Sequence, residues 1–203
     1  MKITSIKQQI KRAGRYSIYI EGEYVFSLSE DALLASRLVK GQELSSKEVA
    51  AYKKLSSEDK LYYQALRYAA LRPHTRWEIA TYLERKEASP PLVDIILNKL
   101  SIIDLVNDEK YAQAFVNDRR LLRPTSRRKI ISELRRKHID SDIITRTVGD
   151  EGEDEVTALQ AIAERKRKQT KYQDDLKLMQ YLARQGFGYS DIKAALQQSA
   201  TEE

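Results

Sequence analysis

Apolar positions follow two different periods along this chain, and the change of period divides it. Near the N-terminus, Tyr16-Ser17-Ile18-Tyr19-Ile20 and Tyr24-Val25-Phe26-Ser27-Leu28 are runs of β-branched and aromatic residues separated by Glu21-Gly22-Glu23. Two such runs joined by a short Gly-containing link predict a β-hairpin. A lone hairpin is marginal in water. A third strand near Thr4–Ile10 and a helix over Glu30–Val39, ended by Lys40-Gly41, are expected to support it.

From Ser45 onward the period is helical. Ser45 and Glu48 have capping-box spacing. Leu61, Ala65, Leu66, Ala69 and Ala70 recur three and four residues apart over Asp59–Arg72, which predicts an amphipathic helix stopped by Pro73. Thr75 with Glu78 opens another helix to about Lys86. Ser89-Pro90 opens a third, to about Leu100. The same grammar returns in helices over 109–122, Ser126 to about His138, and Ser141 or Asp142 to about Gly149. After the acidic link Asp150-Glu151-Gly152-Glu153 it returns once more, at about 154–170, 173–185 and 190–198, with Gly186 as a C-terminal stop.

The recurrence is visible in the letters. Tyr82-Leu83-Glu84-Arg85-Lys86 corresponds to Glu133-Leu134-Arg135-Arg136-Lys137 and then to Tyr181-Leu182-Ala183-Arg184-Gln185, at offsets of 51 and 48 residues. A period near 50 marks a repeat array. The fold class predicted is mainly α: an elongated array of three tandem three-helix repeats behind a small N-terminal β-hairpin-plus-helix segment. The expected boundaries are 1–54 for that segment, then 55–108, 109–149 and 150–203 for the repeats. Each repeat looks too small for a core of its own, so neighbours are expected to share buried surface.

Charge sharpens the picture. The chain of 203 residues carries a net +6, and residues 109–149 alone hold 11 basic against 5 acidic side chains. Residues 1–61 are net +3, residues 62–108 neutral and residues 150–203 net −3. A local basic segment implies a polyanionic or acidic-surfaced partner; a solvated face is the plain alternative. On a helical wheel Ile130, Ile131 and Leu134 share one face, while Arg128, Lys129, Arg135 and Arg136 occupy a wide opposing arc. Arg127 falls nearer the apolar stripe and can pack or pair internally. Like charges a turn apart repel by a few tenths of a kcal/mol, so a dense patch with few acidic neighbours points to an anionic partner.

In the preceding helix, Tyr111, Ala112, Phe115 and Leu122 form the apolar stripe. Arg119 falls on it, either snorkelling or holding its guanidinium toward a carboxylate or phosphate. Arg120 and Arg123 are exposed. Arg72 and Arg76 flank the Pro73 turn as Arg123 and Arg127 flank Pro124-Thr125, so stacked repeats would align the turns into a basic ridge. Trp77 reads as core rather than as a base-stacking platform.

Other chemistry finds little support. There are no cysteines and no apolar run near the length of a membrane span, which excludes disulfides, thiolate metal sites and a bilayer helix. No signal core opens the chain, and the simplest placement is the cytoplasm. His74 and His138 lack a neighbouring nucleophile pattern and read as structural. The cluster Asp150, Glu151, Glu153, Asp154, Glu155 lacks calcium-loop spacing and reads as a solvated linker. No cofactor or metal is expected.

Asp108-Glu109-Lys110-Tyr111-Ala112-Gln113-Ala114-Phe115-Val116-Asn117-Asp118-Arg119, followed by Lys129-Ile130-Ile131-Ser132-Glu133-Leu134-Arg135-Arg136-Lys137, closely resembles the signature of the RecX family. That signature runs D-E-x-Y-A-x-x-F-V-x-x-R, then R-[IL]-x-x-E-L-x-x-K-G. Arg72, Arg76, Glu78 and Tyr82-Leu83 resemble its first repeat, and Arg15–Leu44 is similar to the N-terminal extension of some members. The likeness covers residues 62–149 well and the third repeat weakly.

The resemblance implies a non-enzymatic regulator of the recombinase RecA, with a role in DNA recombination, repair and the SOS response. It implies binding in the groove of the RecA filament on single-stranded DNA, limiting filament growth, ATP hydrolysis and strand exchange. By matched position Tyr111, Phe115, Arg119, Lys129, Glu133, Leu134 and Lys137 carry over, with Tyr111, Phe115 and Leu134 holding the repeat together. The partner-binding set expected is Arg72, Arg76, Arg119, Arg120, Arg123, Arg127, Arg128, Lys129, Arg135, Arg136 and Lys137, on a monomer.

The family's Gly after the Lys is His138 here, and Glu87 in the first repeat. A β-carbon disfavours the left-handed cap, so those two turns are expected to differ in geometry. A sequence-tolerant nucleic-acid-binding module acting without RecA is the second reading, although residues 119–137 contain no aromatic residue for base stacking. An enzyme using the 150–155 carboxylates is the third.

Overall fold

The computed structural model describes residues 1–122, 125–149 and 152–199, and they divide into two compact units. The first comprises residues 1–73 and 79–106, the second residues 74–78 and those from 107 onward.

In the first unit, strands β1 (Ile3–Gln8), β2 (Arg15–Ile20) and β3 (Glu23–Ser29) form an antiparallel sheet in that order. Glu21 and Gly22 join β2 to β3 with φ of 52° and 91°. Two successive positive φ values match the right-handed strand twist in a two-residue hairpin. Helix α1 (Glu30–Ser36) follows, capped by the Ser29 hydroxyl, which accepts from Ala32 N–H. It stops at Ser36 rather than Val39. Arg37 turns left-handed, at φ 52°, and Leu38 goes into the core.

Helix α2 (Ser46–Ala70) then runs unbroken for 25 residues. It passes the position between residues 54 and 55, where the N-terminal segment was expected to end. Ser56, Ser57 and Asp59 look like cap residues, but tertiary partners occupy Ser56 and Asp59. The Ser56 hydroxyl donates to Ser27 O at 2.6 Å, and Asp59 accepts from Arg15 and from both the N–H and the hydroxyl of Ser29. Ile3, Ile18, Ile20, Phe26, Leu28, Leu38, Leu44 and Val49 close a core between sheet and helix.

Helices α3 (Arg76–Glu84) and α4 (Pro90–Ile102) complete the first repeat, whose core gathers Ala65, Ala69, Ile79, Leu83, Val93, Ile96, Leu97, Leu100 and Val106. The second unit carries α5 (Asp108–Leu121), α6 (Arg127–Arg136) and α7 (Ser141–Val148), then α8 (Gly152–Arg167), a 3₁₀ turn (Thr170–Tyr172), α9 (Asp175–Arg184) and α10 (Tyr189–Ser199). Repeat 2 closes on Ala112, Val116, Ile130, Leu134, Ile139, Ile144 and Val148; repeat 3 closes separately on residues including Leu159, Leu178, Leu182 and Ile192. Each repeat closes an apolar cluster of its own. Repeats 2 and 3 meet through polar groups, with Thr125 Oγ1 and Ser126 N both donating to Gln185 O at 3.0 and 3.2 Å.

The second helix of every repeat ends alike, against expectation. Glu87, His138 and Gly186 all have positive φ, at 62°, 56° and 92°. In each, the following amide reaches back to the carbonyl five residues earlier: Ala88 to Leu83 O, Ile139 to Leu134 O and Phe187 to Leu182 O. This is the Schellman closure. At His138, burial of the next residue, Ile139 at 5% exposure, helps to offset the roughly 1–2 kcal/mol that a β-carbon costs in the left-handed region.

Candidate functional site

Helix α6 concentrates the charge because its sequence separates cleanly by face. Ile130 and Leu134 are buried, Ile131 is half-buried, and Arg128, Arg135 and Arg136 are exposed. The start of α6 is pinned by Ser126, whose buried hydroxyl accepts from Lys129 N–H at 3.2 Å. Arg127, Arg128, Ile131, Ser132, Arg135 and Arg136, with Glu155, line an open groove of about 700 Å³. Arg136 touches the Ser132 hydroxyl at 3.5 Å. Among the described residues Arg128 and Arg135 have no internal partner. An open groove with several guanidinium groups and an aliphatic floor can take a polyanion or an acidic side-chain row.

Most of the other described basic candidates have partners within the chain. Arg119 Nε donates to Glu133 Oε2 at 2.8 Å, and its guanidinium lies 4.6 Å from the centre of the Phe115 ring. Arg119 is thus fixed by the chain's own carboxylate. Arg120 donates to Val148 O at 2.9 Å and Arg127 to Gly149 O at 2.7 Å. Both thereby cap the C-terminal carbonyls of α7, where cations complement the helix dipole. Lys129 Nζ reaches Arg184 O and Gln185 Oε1, and Lys137 Nζ reaches Glu78 Oε1 at 2.6 Å. Arg72 donates to Pro73 O and is exposed. The Arg76 amide donates to Asp108 Oδ1 at 2.8 Å.

Arg123 lies outside the described residues, as do Asp150 and Glu151 and the side chains of Glu153 and Asp154.

Trp77 is not core. It is 42% exposed and stacks on His138 with ring centres 4.2 Å apart. His74 is buried. Among the described residues no three His, Cys, Asp or Glu side chains are grouped to hold a metal, and no helix is long and apolar enough to cross a membrane.

Asp108 is the ionisable group of this region with a clear shift. Partial burial pushes its carboxyl above the usual aspartate range, only partly countered by the Arg76 amide. A raised folded pKa means that stability from this group is present below the unfolded pKa and is lost as pH rises through the folded value. Asp108→Asn keeps an acceptor for the Arg76 amide without the charge. It is expected to match the parent chain in acid and to melt slightly higher near neutral pH. Melting curves across that range check this, and a variant less stable at neutral pH would refute the sign.

Comparison with known proteins accounts for the whole arrangement. Residues 1–45 match the profile of the regulatory protein RecX N-terminal domain. Residues 62–100, 107–148 and 153–196 match the first, second and third three-helix domains of RecX. Proteins named Regulatory protein RecX are 31% identical in Listeria monocytogenes, across 100% of this chain and 77% of that one, and 26% identical in Bacillus subtilis, across 97% and 76%. The Lactobacillus johnsonii protein of the same name is 34% identical over 70% of this chain, which spans only 52% of its length. A crystal structure of regulatory protein RecX superposes with TM-score 0.76 at 29% identity, covering 97% of this chain and 98% of the other. RecX from Lactobacillus salivarius superposes with TM-score 0.59 at 25% identity, over 70% and 96%. With all three repeats and the N-terminal sheet accounted for, the chain belongs to the RecX family of regulatory proteins.

Proposed function

We propose that this chain regulates the recombinase RecA without chemistry of its own. It binds the RecA filament on single-stranded DNA in the cytoplasm and limits filament growth, ATP hydrolysis and strand exchange. The observation that carries the reading is the exposed set Arg128, Arg135 and Arg136 on one groove of α6. Among the described residues of the basic segment, these guanidinium groups are left for an outside anion. Arg119, Arg120, Arg127, Lys129 and Lys137 stiffen the scaffold that presents them. A filament groove lined with acidic side chains and DNA phosphate offers the complement, and several moderate contacts on a rigid frame add up.

The test titrates the chain into RecA on single-stranded DNA and follows ATP hydrolysis, with Arg128→Ala/Arg135→Ala/Arg136→Ala in parallel. All three side chains lie off the apolar stripe, so helicity and melting should hold. Half-inhibition should require about tenfold more protein or worse, equivalent to about 1.4 kcal/mol. Unchanged inhibition by the triple variant would remove this groove as the contact. Tight, salt-sensitive binding to free DNA with no effect on RecA would replace the proposal with a nucleic-acid module acting alone.

A further inference from the structure

A second basic pocket lies in the first unit, far along the chain from α6. The β1–β2 turn contributes Lys11 and Arg12, and one face of α2 contributes Lys60 and Arg67, around a pocket of about 270 Å³. All four side chains are exposed, and among the described residues none of them has an internal hydrogen-bond or ion-pair partner. Arg15 forms the floor, but Asp59 neutralises it at 3.0 Å. None of the described lining residues carries a carboxylate. Four unpaired cations converging on one small concavity repel each other, and an anion relieves that repulsion.

The lining also says which anion. Tyr63 and Gln64 stand between Lys60 and Arg67 on the same face of α2. The Tyr63 hydroxyl donates to Asp31 Oδ2 at 3.0 Å, so its ring is held in place. Cations interleaved with an aromatic ring suit single-stranded polynucleotide, in which each phosphate comes with a flat base to stack. An acidic peptide supplies carboxylates but nothing for the ring. Gly14, at φ +73°, lies in the turn that lines the pocket, and Gly14 O accepts from Glu30 N–H at 2.9 Å, fixing the turn against the start of α1.

We propose that this pocket binds the phosphodiester backbone of single-stranded nucleic acid, with Tyr63 stacking on a base, independently of the α6 groove. The test measures fluorescence anisotropy of a labelled oligothymidylate with the full chain and no other protein, over a range of salt. Arg12→Ala/Lys60→Ala/Arg67→Ala should bind tenfold weaker or worse at low salt. Its log–log salt dependence should become shallower by about 0.7 for each phosphate that is no longer neutralised. The charge-preserving Lys60→Arg/Arg67→Lys should stay near the parent chain, which separates charge from a fold defect. Tyr63→Leu should weaken oligothymidylate binding about fivefold or more and leave inorganic polyphosphate binding unchanged. Unaltered affinity and slope in the triple variant would overturn the proposal. So would polyglutamate competing as well as unlabelled oligothymidylate, which would assign the pocket to an acidic peptide.

Discussion

Replacing Asp59 by Ala is expected to destabilise the first unit by about 3–5 kcal/mol, the usual result of stripping one partner from a buried ion pair. The Arg15 and Asp59 side chains are only 10% and 7% exposed, so solvent does little to screen them. Asp59 also accepts from Ser29 N–H at 2.9 Å and from the Ser29 hydroxyl at 2.6 Å, the same hydroxyl that caps α1. Its removal therefore leaves a buried guanidinium and a buried amide short of an acceptor and loosens the α1 cap. Arg15 keeps Ser27 Oγ and Ser27 O, at 3.0 and 3.1 Å, but no counter-charge. Denaturant unfolding measures the loss, and hydrogen exchange should show β2 and β3 opening first. A loss under about 1 kcal/mol would mean that water reaches Arg15. Arg15→Met/Asp59→Leu should recover most of the stability, because two apolar groups of similar size remove both unmet demands at once.

The second large effect is expected at Gly186. A β-carbon there would lie 2.3 Å from Ser126 Oγ and 3.0 Å from Lys129 Cβ, on a backbone at φ +92°. Ser126 is fully buried and caps α6, so it cannot swing aside without losing that cap, a change of about 1 kcal/mol. Adding left-handed strain of about 1–2 kcal/mol puts Gly186→Ala at about 2–3 kcal/mol. Gly22→Ala meets no atom within 4 Å and should show only the strain. Gly186→Ala/Ser126→Gly should be less destabilised than the single changes added together, since the clash is gone. Melting of the parent, the two single variants and the double variant forms the cycle, and strict additivity would show that the two residues do not collide. Because this junction sets the start of α6, Gly186→Ala should also weaken the inhibition of RecA proposed above.

His138 occupies the equivalent turn of repeat 2, and there a β-carbon is accommodated. Its ring stacks on Trp77 instead of meeting a buried cap. The two turns share a backbone path and differ in what faces them, so glycine is required at one and dispensable at the other. The neighbouring polar contacts are related in the same way. Glu78 pairs with Lys137, and one repeat later Lys129 donates to the Gln185 side chain.

The helical repeats were legible because their signals are local. Pro73, the Ser45–Glu48 and Thr75–Glu78 capping boxes, and the Leu83, Leu134 and Leu182 recurrence each act within a few residues. The amphipathic split of α6 was legible for the same reason: Ile130 and Leu134 against Arg128, Arg135 and Arg136 follow from helix periodicity alone. Trp77 reads as core in the sequence because periodicity ranks faces by apolarity, while its exposure depends on where His138 comes to rest.

The elements, the repeat period and the location of the excess positive charge could be read from the chain, since they depend on propensity, capping and spacing along one stretch of it. Which cations are available depends on the folded arrangement. Lys137 meets Glu78 across 59 residues and Lys129 meets Gln185 across 56. Tertiary structure likewise carried α2 through Ser56 and Asp59, and brought Lys11 and Arg12 beside Lys60 and Arg67. Coulomb forces and hydrogen bonds act over a few ångströms of space, whatever the distance along the chain, so a residue's commitment is settled only once its distant neighbours are in place.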